Sequence, residues 1–254
     1  MTRIGPAVVI AAAALCTNAP VASADLSLSV YPEHPDARQS FLVTVSGLST
    51  VGHIGLTLTQ HCDGLRTTHL IAQTDNNGRV GFLFSPGADA DKAPYSVPCT
   101  GQTGTLHVTH LGNQLGTLTL PAVSVGVGPR MIAFGYSFIA YRGTTELQWH
   151  PLKDGKLSRL HNLSISAAGL HAGADYALHL TRQTGAGTSC FHKPWTGTTY
   201  TASPHGVIAP SQAYAHLHYE PNADRNFPWC KPATYRAEVK GRDGSQHLDF
   251  TVPL

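Results

Sequence analysis

The sequence runs to 254 residues, with 17 Lys and Arg against 15 Asp and Glu and a formal charge of +2 at pH 7. That balance supplies no electrostatic pull toward nucleic acid or an anionic membrane surface. The length suffices for one large or two ordinary domains.

Residues 1–24 carry Arg3, an unbroken apolar run from Ala7 to Leu15, and then Ala22, Ser23 and Ala24 ahead of Asp25. A charged start, a short hydrophobic stretch and a small-residue site are the layout of a secretory signal peptide, with cleavage expected after Ala24. The apolar run is too short to span a bilayer core, which needs ~20 residues. Cys16 follows Leu15, where a bacterial lipoprotein signal requires a small residue. The expected destination is secreted, either extracellular or in the cell envelope. The most apolar later stretch, Leu115 to Tyr141, is broken by Pro121, Pro129, Arg130 and several glycines, so no membrane span is expected.

Removal of the leader leaves Cys62, Cys99, Cys190 and Cys230. An even number in an oxidising compartment reads as disulfides, and four cysteines allow three connectivities. The separation from Cys62 to Cys99 nearly equals that from Cys190 to Cys230, which favours one bridge within each half. Each bridge is worth roughly 4 kcal/mol in the loop-closure model.

Along the mature chain apolar and polar residues alternate in short runs, the period of half-buried strands. Leu26, Leu28 and Val30 are set to face one way, with Ser27 and Ser29 facing the other. Phe41, Val43 and Val45 separate in the same manner from Thr44 and Ser46. The rule returns for Tyr176, Leu178 and Leu180, for Tyr235, Ala237 and Val239, and for Leu248, Phe250 and Val252. Turn chemistry falls between the runs, at Asp75 to Gly78, Asp154 with Gly155, and Asp243 with Gly244.

The halves read as two versions of one unit. The first has VTVSGL at 43–48, a strand, Cys62, a turn at Gly78, ADK at 90–92, then Pro98 and Cys99. The second has SISAAGL at 164–170, a strand, Cys190, a turn at Gly206, ADR at 223–225, then Pro228, Trp229 and Cys230. Several strands per half with turns every eight to twelve residues predict an all-β chain of sandwiches. The expected division is a signal peptide at 1–24, a first domain at 25–125 and a second at 131–254. The segment PAVSVGVGPR at 121–130, rich in Gly and Pro, is the expected linker.

A Val-rich strand ending in Gly-Leu, then a strand such as ADYALHL, a cysteine and a later turn glycine resembles the bacterial immunoglobulin-like secreted modules, loosely including the neocarzinostatin-type sandwich. The resemblance implies two tandem immunoglobulin-like β-sandwich domains. This chain departs from the chromoprotein pattern in having one cysteine pair per domain, and from antibody domains in lacking their wide Cys to Cys spacing with an intervening Trp.

Candidate chemistry comes from two places. His216 and His218 alternate in AYAHLHYE, and His179 in DYALHLT is a candidate third ligand, so a copper or zinc site is one reading of this histidine-rich chain. The other reading is solvent-facing strand histidines. Separately, a bond between Cys190 and Cys230 would bring Phe191, His192 and Trp195 beside Phe227, Pro228 and Trp229. Such aromatic rings make a platform for a sugar ring or apolar ligand through His192, Trp195, Phe227 and Trp229, or else they cover the disulfide and close the core.

No GxSxG elbow, phosphate loop, dinucleotide fingerprint, HExxH or acidic calcium loop occurs. The expectation is a non-enzymatic binding or adhesion module without a cofactor. Its partner would be a small molecule, a glycan or a protein surface. An envelope metal-binding protein and a structural surface spacer are the alternatives.

Overall fold

The fold was obtained as a computed structural model, which describes all residues except 1–24, 37–38, 50–51, 86–98, 125, 127–130, 142, 210–216 and 221–227. The leader, the ADK and ADR landmarks, Pro98, His216 and Phe227 therefore lie outside the described residues. Among the described residues no helix occurs, and none is long and apolar enough to cross a membrane.

The first half forms β1 (Ser27–Tyr31), β2 (Phe41–Ser46), β3 (His53–His61), β4 (Leu65–Gln73), β5 (Val80–Phe84), β6 (Gly104–His110) and β7 (Asn113–Leu120). The second forms β8 (Met131–Tyr141), β9 (Thr144–Pro151), β10 (Asn162–Ala167), β11 (Asp175–Thr184), β12 (Trp195–Thr201), β13 (Leu217–Tyr219), β14 (Ala233–Gly241) and β15 (Gly244–Val252). These strands make four antiparallel sheets, ordered β1-β2-β5, β4-β3-β6-β7, β13-β10-β8-β9 and β12-β11-β14-β15.

The alternation read from sequence is the alternation of burial. Val43 and Val45 of β2 are fully buried with Phe41, against Phe82, Leu56 and Leu106. In the second half Leu178, Leu180, Tyr235, Ala237, Val239, Phe250 and Val252 share one core. Each core lies between a pair of sheets, so the apolar stripe of every strand finds a facing sheet to cover it.

The internal repeat extends to individual hydrogen bonds. Gly78 and Gly206 sit at φ +66° and +69°, and in each a Cβ would run into a carbonyl oxygen, that of Leu48 or of Leu170. Those same leucines donate their N–H to the glycine carbonyls at 3.1 and 3.0 Å. Only glycine permits both the left-handed backbone and that approach, which explains why the Gly-Leu pair and the later turn glycine recur together.

Both disulfides form within their own halves, Cys62 to Cys99 and Cys190 to Cys230, with Cα atoms 6.0 and 5.0 Å apart. Each ties the chain after β3 or β11 to the chain just before β6 or β14. Disulfides of this kind belong to an oxidising environment.

Two features depart from the sequence reading. The segment expected as a linker is partly built into the first half: Val123 is fully buried in that core and Ser124 bridges Asp36. The halves also share a third apolar cluster of Leu42, Leu83, Ile132, Phe134, Tyr136 and Trp149. It forms because β9 has no counterpart in the first half. Strand β9 folds back on β8 and lies against β2, β4 and β5. Gln148 Nε2 donates to the Gln73 carbonyl at 3.3 Å, and the His53 ring meets the Glu146 carboxylate at 2.5 Å.

Candidate functional site: a cleft between the halves

Of the side chains expected to form an aromatic platform, Trp229 is inside the molecule, and His192 and Trp195 are half-buried. Trp229 is 4% exposed. Its indole Nε1 donates to the His161 carbonyl at 3.0 Å, and its ring packs against Phe191, Tyr219, Tyr235 and Phe250. Trp195 is half-buried and meets Tyr219 edge-on at 5.2 Å. The imidazole Nδ1 of His192 lies 2.7 Å from the Cys190 carbonyl. Beside the disulfide, Trp229 and Phe191 lie in the core and Trp195 packs against it.

The candidate metal ligands are distributed differently from the expectation of neighbouring strands. His179 belongs to β11, and its Nδ1 lies 2.9 Å from Thr196 Oγ1. His218 belongs to β13, whose backbone pairs with β10 at Ser164 in the opposite sheet. Among the described residues no group of three His, Cys, Asp or Glu side chains is placed to hold a metal ion.

A cleft of about 360 Å3 lies instead where the halves meet. Its origin is the outer face of β1-β2-β5. Opposed residues share a face of a sheet, so Tyr31, Leu42 and Leu83 lie on that face together with Ser27, Ser29, Thr44, Ser46 and Gly81. The face changes character along its length. At the apolar end Phe134 packs edge-on against Tyr31, with centroids 5.9 Å apart. Toward the hydroxyl end, Ser27, Ser29, Thr44 and Ser46 line the cleft.

The opposite wall is β9, contributing Gln148, Trp149, His150 and Pro151, and Asp75 and Arg79 also line the cleft. A Cβ at Gly81 would stand 2.6 Å from the Trp149 carbonyl oxygen, so glycine is what lets β9 lie this close. Asp75 Oδ1 accepts from the backbone N–H of Asn77 at 2.8 Å and of Arg79 at 2.9 Å, which fixes its carboxylate in the turn.

His150 is the titratable group of the β9 wall. Its Nε2 lies 2.9 Å from Ser137 Oγ and its ring stacks on His161. Burial, reinforced by the neighbouring His161 and opposed by Asp75, pushes its pKa down to about 4. Burial also lowers the pKa of His161. Both rings are therefore neutral at neutral pH. Farther along β8, burial and a 2.8 Å hydrogen bond to Glu220 push the Tyr136 phenol well above its ordinary range.

Sequence reasoning sorted Ser27, Ser29, Thr44 and Ser46 onto the side away from the core and stopped there. No motif marks Trp149 or His150. The available signal was an eighth strand in the second half alone: residues 144–151 carry an apolar-polar run with no match in the first half.

No family model matches this sequence, and no curated protein is similar to it. Among solved structures the chain is similar to one from a study of neurohormone perception by the receptor tyrosine kinase Torso. The identity is 10% over 91% of this chain and 73% of that one, with a TM-score of 0.26. It is also similar to red sea bream transglutaminase, at 11% identity over 90% of this chain and 31% of that one, with a TM-score of 0.24.

Proposed function

We propose that the chain is an exported, non-enzymatic binding protein made of two tandem immunoglobulin-like sandwiches, with its ligand held in the cleft between them. The observation that carries this reading is that both halves furnish walls of one concave space where polar side chains converge beside apolar ones such as Trp149, and a concavity between domains is a usual setting for a small-molecule site.

The tandem assignment is supported by strand order. Reading β1, β2, β3, β4, β5, β6 and β7 against β8, β10, β11, β12, β13, β14 and β15 turns the first pair of sheets into the second, with β9 added. Matching disulfides and turn glycines follow the same correspondence. Export is supported by the leader-like order of residues 1–24 and by the two disulfides.

Thr44→Tyr tests the site, because a ring on the exposed side of β2 fills the cleft and suits a strand. Retention on a panel of glycans and small molecules is expected to disappear in Thr44→Tyr and to persist in Trp195→Ala. Equal retention by wild type and Thr44→Tyr sinks the cleft as the site.

A further inference from the structure

We propose that the cleft takes a neutral, hydroxyl-rich ligand of the mono- or disaccharide class, gripped by the hydroxyls of Ser27, Ser29, Thr44 and Ser46. This rests on the cleft being the binding site and adds the chemistry of its occupant.

The four side chains form a two-by-two grid. Ser27 faces Ser46 and Ser29 faces Thr44 across the strands. Cβ atoms in such cross-strand pairs are about 5 Å apart, and successive same-face positions along a strand are about 7 Å apart. The grid thus has the span of a pyranose ring. Ser27 and Ser29 are exposed and Thr44 and Ser46 half-buried, so the hydroxyls are open toward the cleft.

Each hydroxyl both donates and accepts, as does every hydroxyl of a sugar. An apolar occupant would leave this wall without partners, at a cost for every polar group it dehydrates. Charge excludes the other classes. The charges of Asp75 and Arg79 in the lining cancel, and the wall opposite the grid carries a neutral imidazole. An anion or a cation would therefore enter without a net counter-charge. The space of about 360 Å3 falls at the small end of the range for ligand sites, roughly 300 to 1,000 Å3, which suits one or two sugar rings.

The test uses the mature chain and three probe sets in calorimetry: neutral mono- and disaccharides, their sulfated or uronic counterparts, and short neutral peptides. Ser29→Val and Thr44→Val remove one hydroxyl each and favour the strand, so the fold is kept; circular dichroism and the melting temperature verify this. The expected result is binding by a neutral saccharide, weakened at least tenfold by each valine variant and unchanged in His192→Ala. A neutral saccharide indifferent to both valines overturns the proposal. Preference for the charged sugars or the peptides, lost in Thr44→Tyr, overturns the ligand class and leaves the cleft standing. No binding by any set overturns the saccharide assignment as well.

Discussion

The imidazole of His150 lies on that of His161, with ring centroids 3.8 Å apart and planes 10° from parallel. Burial disfavours the charged form of both rings, and two cations at that separation would repel besides, so the buried pair makes stability depend on pH. With both pKa values lowered in the folded state, the unfolded chain takes up protons first as pH falls through about 6.5. Stability is therefore flat above about pH 7 and declines from about pH 6.5 to about pH 4. The His150 shift corresponds to a loss of about 3 kcal/mol across that window. Urea unfolding at pH 7.5, 5.5 and 4.5 measures the decline, and His150→Phe is expected to flatten it. An unchanged slope in that variant would count against the stack as its source.

Gly81 is the contact on which β9 closes. Its partner is a backbone oxygen, Trp149 O, which cannot swing aside as a long side chain can. Gly81→Ala is expected to cost about 1 to 3 kcal/mol through forced displacement of β9. Gly112→Ala serves as a control of a different kind: a Cβ there meets nothing, so its cost arises only from the backbone at φ +81°. Gly81→Ala should also increase hydrogen exchange at the amides of β9, and Gly112→Ala should not.

The all-β character, the strand faces and both disulfide pairings are legible in the sequence because they are set by local alternation and by the near-equal spacing of two cysteine pairs. The cleft is not legible. It depends on the outer face of β1-β2-β5 being apolar at Tyr31, Leu42 and Leu83 and hydroxylic at Ser27, Ser29, Thr44 and Ser46, and period-two reading assigns all of that face to solvent. What covers its apolar end is a strand from the other half, β9, whose register against β8 brings Trp149 opposite Tyr136. Such a contact joins residues far apart in sequence, and no spacing rule reports it. The aromatic gathering at Cys190 and Cys230 shows the complementary limit: its membership was readable at Phe191, Trp195 and Trp229, but its exposure was set by Tyr219, Tyr235 and Phe250 arriving from three other strands.

Trp229 offers a direct measurement of that burial. Its indole N–H is satisfied by the His161 carbonyl and its ring by four aromatic neighbours. Trp229→Phe leaves that part-buried carbonyl without its donor and is expected to cost about 1 kcal/mol. Trp229→Ala adds a cavity and is expected to cost about 3 to 5 kcal/mol. Denaturant midpoints at constant slope distinguish the two. A loss below about 0.5 kcal/mol for Trp229→Ala would mean that the ring is not in the core.

Phe134 is the residue through which the halves are expected to unfold together. It is fully buried, edge-on to Tyr31 of the first half and to Trp149 of β9, and it shares its cluster with Leu42 and Leu83. Two sandwiches joined only by a chain melt separately, whereas an apolar contact of this kind couples them. Phe134→Ala is expected to remove about 3 to 5 kcal/mol from the coupling contact while leaving both separate cores, those of Phe82 and of Tyr235, complete. In scanning calorimetry the wild type should show one cooperative transition, and Phe134→Ala should resolve it into two. The ligand proposed for the cleft would contact both halves and should draw those transitions back together, since only the joined state would carry the whole site. Two transitions already present in the unsubstituted protein would show that the shared cluster is too weak to couple the halves.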